Sequence, residues 1–142
     1  MKLHHLGWVG NDLARMRAAF ERDGAQIVSP PIDDPIQRVT VQFLREPGTG
    51  ELWELVAPLG DPAGSPLASR LGRGGGFDHV CYELESGDGT LEDRVAAEVA
   101  RGARVVCEPV LAAAFDRRIA FVFRRSRRLI EYVEPRRPGQ AL

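Results

Sequence analysis

Apolar and β-branched residues run from Lys2 to Val9 and stop at Gly10-Asn11, which predicts a strand closed by a turn. From Asp12 to Asp23 the period becomes helical. Leu13, Met16 and Phe20 form one apolar stripe expected to be core, Asn11 or Asp12 can cap the start, and Gly24 ends the helix. The runs GAQIVSP (from Gly24), VTVQFL (from Val39) and LWELVAP (to Pro58) predict three more strands. Gly60 to Gly76 is rich in Gly, Pro and Ser; it reads as a linker with a short helix at Pro66 to Leu71. A further strand opens at Phe77. A second helix follows from Thr90, with Asp93 three residues on as a capping box, an apolar stripe at Leu91, Val95 and Val99, and a stop at Gly102.

The second half repeats the first. LHHLGWV (Leu3 to Val9) parallels FDHVCYE (Phe77 to Glu83), pairing His5 with His79, Leu6 with Val80 and Trp8 with Tyr82. GAQIVSP parallels GARVVCEP (Gly102 to Pro109), and VTVQFL…LWELVAP parallels IAFVFR…LIEYVEP (Ile119 to Pro135), pairing Glu54 with Glu131. Offsets of 74 to 78 residues place the insertions between elements, where loops tolerate them. The fold class expected is α+β, built from two tandem βαβββ modules in one domain spanning 1–142. Module 1 is 1–59, the linker 60–76, module 2 77–135 and the C-terminal tail 136–142.

Composition narrows the function classes. Nineteen Lys+Arg against twenty Asp+Glu give −1, without the basic excess that phosphate neutralisation along a duplex requires, so no nucleic acid is expected as a partner. No apolar run approaches the roughly 18 residues of a membrane span, and the N-terminus lacks the features of a signal peptide. No membrane association and a cytoplasmic location are therefore expected. Cys81 and Cys107 each sit in an apolar run and are expected as reduced, buried thiols. The neutral total hides an asymmetry: Arg117 to Arg137 holds eight arginines and two glutamates, or +6, and the remainder eleven basic and eighteen acidic residues, or −7. Those arginines form either a solvated hairpin or a site for a phosphate or carboxylate of the substrate.

The repeat singles out His5 and His79 from three histidines. Alternation along a strand puts His5, Gly7 and Val9 on one face and Leu6 and Trp8 on the other, beneath the helix; His79 and Cys81 follow the same rule. Glu54 lies between Trp53 and Leu55, and Glu131 between Ile130 and Tyr132, so both carboxylates are expected on the face away from the helices. A carboxylate in an apolar strand needs a cation, a hydrogen bond or water. Two imidazoles and two carboxylates suit one divalent ion of intermediate hardness, Mn, Fe, Co, Ni or Zn, with Mg less suited. The alternative for the glutamates is a pair of solvent-facing strand positions.

With these residues in place, the chain resembles the vicinal oxygen chelate superfamily (glyoxalase, bleomycin resistance and dioxygenase proteins). ELVAPLGDPAGSPLASRL followed by GGGFDHVCYEL is especially similar to its methylmalonyl-CoA epimerase-like and glyoxalase-like branch. The resemblance implies a cupped mixed β-sheet around a metal site, with His5, Glu54, His79 and Glu131 as ligands. It further implies an epimerase or isomerase that removes a proton beside a carbonyl through a metal-stabilised enolate, with Glu131 as first candidate base and Glu54 as its partner. The substrate implied is a small molecule, an acyl-CoA or another anionic carbonyl compound, and the assembly a homodimer. Two alternatives stay open: a glyoxalase I-like lyase, and a metal-independent binding or resistance protein of the same fold. One departure stands out. Epimerases of this branch can carry a further glutamate on the third strand, where this chain reads Arg38-Val39-Thr40-Val41-Gln42, leaving Gln42 to orient a substrate but not to act as a base.

Overall fold

A computed structural model describes residues 1–142. Nine strands and three α-helices follow the expected alternation: β1 (Lys2–Val9), α1 (Leu13–Arg22), β2 (Gln26–Ile27), β3 (Ile32–Asp34), β4 (Val39–Arg45), β5 (Leu52–Pro58), α2 (Ala68–Gly72), β6 (Gly76–Glu83), α3 (Leu91–Ala100), β7 (Arg104–Ala112), β8 (Arg117–Phe123) and β9 (Leu129–Val133). The class is α+β with mixed strand pairing. Residues 5–78 pack as one unit, and residues 79–142 with 1–4 as another. No helix is long and apolar enough to cross a membrane.

In the first unit β1 runs parallel to β5, β5 is antiparallel to β4, and β2 and β3 both pair with β4. In the second, β6 runs parallel to β9, and β9, β8 and β7 are antiparallel neighbours. The single second strand expected in module 1 is broken into β2 and β3, because Pro30 and Pro31 lack the N–H groups that would continue the ladder. Its counterpart β7 carries Pro109 but continues through register shifts between Val105 and Cys107 and between Cys107 and Val110, a bulge that accommodates the missing donor. The linker helix begins later than expected, at Ala68, preceded by a 3₁₀ turn at Pro62–Gly64 that Asp61 caps.

Both long helices start and stop on local chemistry. Asp12 caps α1 by accepting from the Arg15 N–H at 3.0 Å. Thr90 and Asp93 form the full capping box of α3, with bonds of 3.1 and 3.0 Å. Gly24 and Gly102 follow the helices with positive φ.

The two helices bury different amounts of surface. Leu91, Val95 and Glu98 of α3 are buried over a core of Leu84, Ala120, Val122, Ile130 and Tyr132. A fully buried Leu or Ile contributes about 1.5–3 kcal/mol. The expected stripe position Val99 is instead 47% exposed, since positions 91, 95 and 98 match the helical period better. Glu98 in that row is held by side-chain bonds rather than by apolar packing. α1 has no buried residue: Leu13, Met16 and Phe20, expected as core, are only half-buried against Ala25, Leu44 and Leu55. Cys81 is fully buried, whereas Cys107 is partly exposed on β7, against expectation, because the bulge disrupts alternation there; both thiols are free.

Candidate metal centre

Strand register decides which side chains share a face. Gly7 pairs with Glu54 across β1 and β5, and Phe43 with Glu54 across β4 and β5, so His5, Phe43 and Glu54 lie on one face while Trp8, Leu44, Trp53 and Leu55 lie under α1. In the second unit Cys81 and Phe121 pair with Glu131, which puts His79, Phe121 and Glu131 on the face opposite the Ile130 and Tyr132 core. Each unit therefore brings one histidine and one glutamate together.

The two pairs share one geometry. His5 Nε2 is 3.3 Å from Glu54 Oε2, and His79 Nε2 is 3.3 Å from Glu131 Oε2. All four residues are buried, at 1%, 6%, 2% and 2% exposed, so solvent-facing glutamates are excluded. Two ligand atoms at about 2.1 Å from a common ion lie about 3.0–3.4 Å apart at octahedral or tetrahedral angles, and both pairs fall in that interval. The donor chemistry of each pair, His5 with Glu54 and His79 with Glu131, suits a divalent cation.

Repeated aromatic contacts surround the imidazoles. Phe43 meets His5 edge to face, with centroids 5.6 Å apart, and Phe121 meets His79 likewise at 5.2 Å. Sequence reasoning passed over these phenylalanines, although they stand 78 residues apart in matching strands. Gln42 is two per cent exposed and pairs with Leu55 on the helix side, where its Nε2 donates to the Ser29 carbonyl at 3.0 Å. It cannot orient a substrate beside Glu54. The β4 residues sharing a face with Glu54 are Val39, Val41, Phe43 and the exposed Arg45, none of them a carboxylate.

A second missed cluster centres on Glu83, on the same face of β6 as His79 and Cys81. Its buried carboxylate accepts from Arg117 (2.9 Å) and Arg136 (3.2 Å) and pairs with Lys2 (3.2 Å); His4 Nε2 lies 3.6 Å away. Burial pushes the Glu83 carboxyl upward, but the bonds from Arg117 and Lys2 and the nearby Arg136 outweigh it and hold the group below the usual carboxylate range. His4, the repeat partner of Asp78, belongs to this cluster and packs edge-on against Phe115, while Asp78 pairs with Arg70. The arginine-rich end is largely consumed within the chain: Arg118 binds Glu92 and Glu134, Arg124 binds Glu98, and Arg137 binds Asp116. Arg125 and Arg127 stay exposed.

Comparison with known proteins places the fold. The chain is 37% identical over 86 residues to the ethylmalonyl-CoA/methylmalonyl-CoA epimerase of Cereibacter sphaeroides, a match spanning 59% of this chain and 61% of that protein. The crystal structure of methylmalonyl-CoA epimerase from Mycobacterium tuberculosis superposes with a TM-score of 0.76 at 26% identity, covering 96% of this chain and 89% of that one. A methylmalonyl-CoA epimerase variant from Streptomyces coelicolor, in complex with 2-nitronate-propionyl-CoA, has the same fold, with a TM-score of 0.75, 19% identity and coverage of 95% and 97%. Residues 4–121 match the family model described as Glyoxalase/Bleomycin resistance protein/Dioxygenase superfamily, and the chain belongs to that superfamily.

Proposed function

We propose that the chain is an isomerase-type enzyme, an epimerase of an acyl-CoA thioester whose acidic C–H lies beside its carbonyl. In this reading His5, Glu54, His79 and Glu131 together hold one divalent ion, Mn, Co, Ni, Fe or Zn. The observation that carries it is the duplicated, buried Nε2–Oε2 pair at 3.3 Å. Relatives named methylmalonyl-CoA epimerase support the substrate class.

When bound, such a cation polarises a carbonyl and stabilises the enolate formed beside it. The chain's residues do the rest. His5 and His79 supply neutral nitrogens, their ring planes fixed by the edges of Phe43 and Phe121. Glu131 takes the α-proton from one face of the substrate, and Glu54 returns a proton to the other. Glu54 is assigned this second role because the same face of β4 offers only Val39, Val41, Phe43 and Arg45, none of which can serve as a base.

The test is solvent deuterium exchange at the α-carbon of methylmalonyl-CoA, run beside a hemithioacetal substrate, with metal content measured for every sample. Exchange into the thioester is expected, falling about 10²-fold or more in Glu131→Gln and Glu54→Gln at equal metal content. Exchange only into the hemithioacetal would move the assignment to a glyoxalase-type lyase. Exchange into neither would overturn the proposal and leave a binding protein of the same fold.

A further inference from the structure

On the side of the first unit's sheet opposite His5 and Glu54, an open groove of about 620 Å³ runs along α1, lined only by residues within 5–78. Its floor is aromatic. Trp8, Phe20 and Trp53 pack edge to face with ring centroids 5.6–6.1 Å apart, and each residue is partly exposed. The groove stays open because α1 has no buried residue, whereas α3 buries three. Its volume falls inside the range of about 300–1,000 Å³ that small-molecule sites occupy.

The charges along this groove break a local rule. Asp12, Asp23 and Glu46 against Arg15 give the lining three negative charges and one positive, a net of −2. Asp12 caps α1, and Glu21 on the same helix pairs with Arg17. The side chains of Asp23 and Glu46 make no hydrogen bond and no ion pair within the chain. Asp23 is also the C-cap of α1, where the negative end of the helix dipole disfavours a carboxylate. At the matching position 78 residues on, the C-cap of α3 is Arg101, the favourable sign. Departures of this kind are expected where a site uses them. Here they gather negative potential beside three aromatic rings.

That combination selects among cations. A divalent metal ion wants a shell of oxygen ligands and gains little from rings. A quaternary ammonium uses ring faces but brings no donor for the carboxylates. A guanidinium does both at once, stacking its plane on indole while its N–H fork meets carboxylate. We propose that the groove binds a small organic cation carrying a guanidinium group, its plane on the Trp8 and Trp53 floor and its N–H groups on Asp23 and Glu46. A second positive charge on the ligand matches the net −2 of the lining. The probe is therefore agmatine, a guanidinium joined to an ammonium by a short methylene chain.

The chain has two tryptophans and both line this floor, so its intrinsic fluorescence reports on the groove. Agmatine added to the full chain should shift the emission saturably, with one site per chain by calorimetry and a Kd below about 1 mM that rises with salt. Putrescine, a diamine without the guanidinium, should bind at least about tenfold more weakly, and magnesium should leave the emission unchanged. Asp23→Asn with Glu46→Gln should weaken agmatine binding at least about tenfold. Arg15→Gln removes the one positive charge of the lining and should tighten binding about two- to threefold, a gain that misfolding cannot imitate. Arg101→Gln, at the matching place in the second module, should change neither value. No saturable shift up to about 10 mM agmatine, equal binding of putrescine, the same shift with magnesium, or an affinity indifferent to both lining changes would overturn the proposal.

Discussion

Replacing Glu98 by alanine removes the carboxylate that organises the second module's helix packing. Glu98 is 2% exposed; Tyr132, fully buried, donates its hydroxyl to Oε1 at 2.6 Å, and Arg124 donates to both carboxylate oxygens at 2.6 and 3.1 Å. Without Glu98 the phenol hydroxyl keeps only its contact with Arg124, at 2.9 Å. Breaking a buried ion pair by deleting one partner costs about 3–5 kcal/mol. The Arg124 side chain is 26% exposed and can turn to water, so the lower end applies and the expected loss is about 3 kcal/mol. For a domain of this length that lowers Tm by about 10 °C. Tyr132→Phe should couple to it, the double variant losing less than the sum of the singles by about 1 kcal/mol or more. Burial raises the Glu98 carboxyl, but Arg124 and Tyr132 outweigh it and hold the group below its ordinary range. Because the folded pKa is depressed, this stabilisation is present above the ordinary carboxylate pKa and is lost as pH falls through the folded value. The stability gap between wild type and Glu98→Ala should therefore close in acid. Tyr132, pushed up to about 12 by burial and its bond to Glu98, adds stability that is complete below the ordinary tyrosine pKa and fades above it. Urea titrations across pH measure both limits. A loss under about 1 kcal/mol, strict additivity with Tyr132→Phe, or a gap that widens in acid would refute the reasoning.

Glu83→Ala should cost more than Glu98→Ala, by about 1 kcal/mol or more, because its partner Arg117 is itself only 3% exposed and has no route to water; equal or smaller loss in the same titrations would count against this. Chelator-treated protein reloaded with Mn, Co, Ni or Zn at about 100 times Kd should gain about 2.7 kcal/mol, read as a Tm rise of about 8 °C. His5→Ala and His79→Ala should each abolish stoichiometric uptake, since one ion is assigned to both pairs; a variant retaining one ion per chain would refute the shared ion. Gly75→Ala should destabilise by about 2 kcal/mol or more, for its φ is +67° and an added Cβ would lie 2.5 Å from the Val9 carbonyl oxygen, while Gly74→Ala, equally left-handed at +103° but with nothing within 4 Å, should cost about 1 kcal/mol. Thermal melts of the two variants distinguish strain from collision.

What the sequence made legible was whatever duplication or strict alternation writes twice. The helix bounds, the capping box at Thr90 and Asp93, and the faces of His5, His79, Glu54 and Glu131 all follow from local period and from matching one half to the other. Illegible features were those where the halves diverge. Pro30-Pro31 splits a strand that Pro109 only bulges, and a helix row read as Leu91, Val95 and Val99 in fact buries Glu98, because the polar partners that make a carboxylate tolerable there, Arg124 and Tyr132, lie 26 and 34 residues further on. Arg117 was read as part of a basic end, yet it is buried against Glu83 and donates to the Glu134 carbonyl, contacts between residues 34 and 17 apart that no periodicity announces. Divergence between copies is also where each half acquires its own chemistry. A duplicated pair proposed to share one ion needs both copies to stay alike, and His5–Glu54 and His79–Glu131 keep the same 3.3 Å separation. The helix-covered sides face no such requirement, and there Glu98, Arg101 and Arg124 stand where the first half has Phe20, Asp23 and Glu46, so that an open aromatic groove in one half corresponds to a smaller cationic cleft in the other.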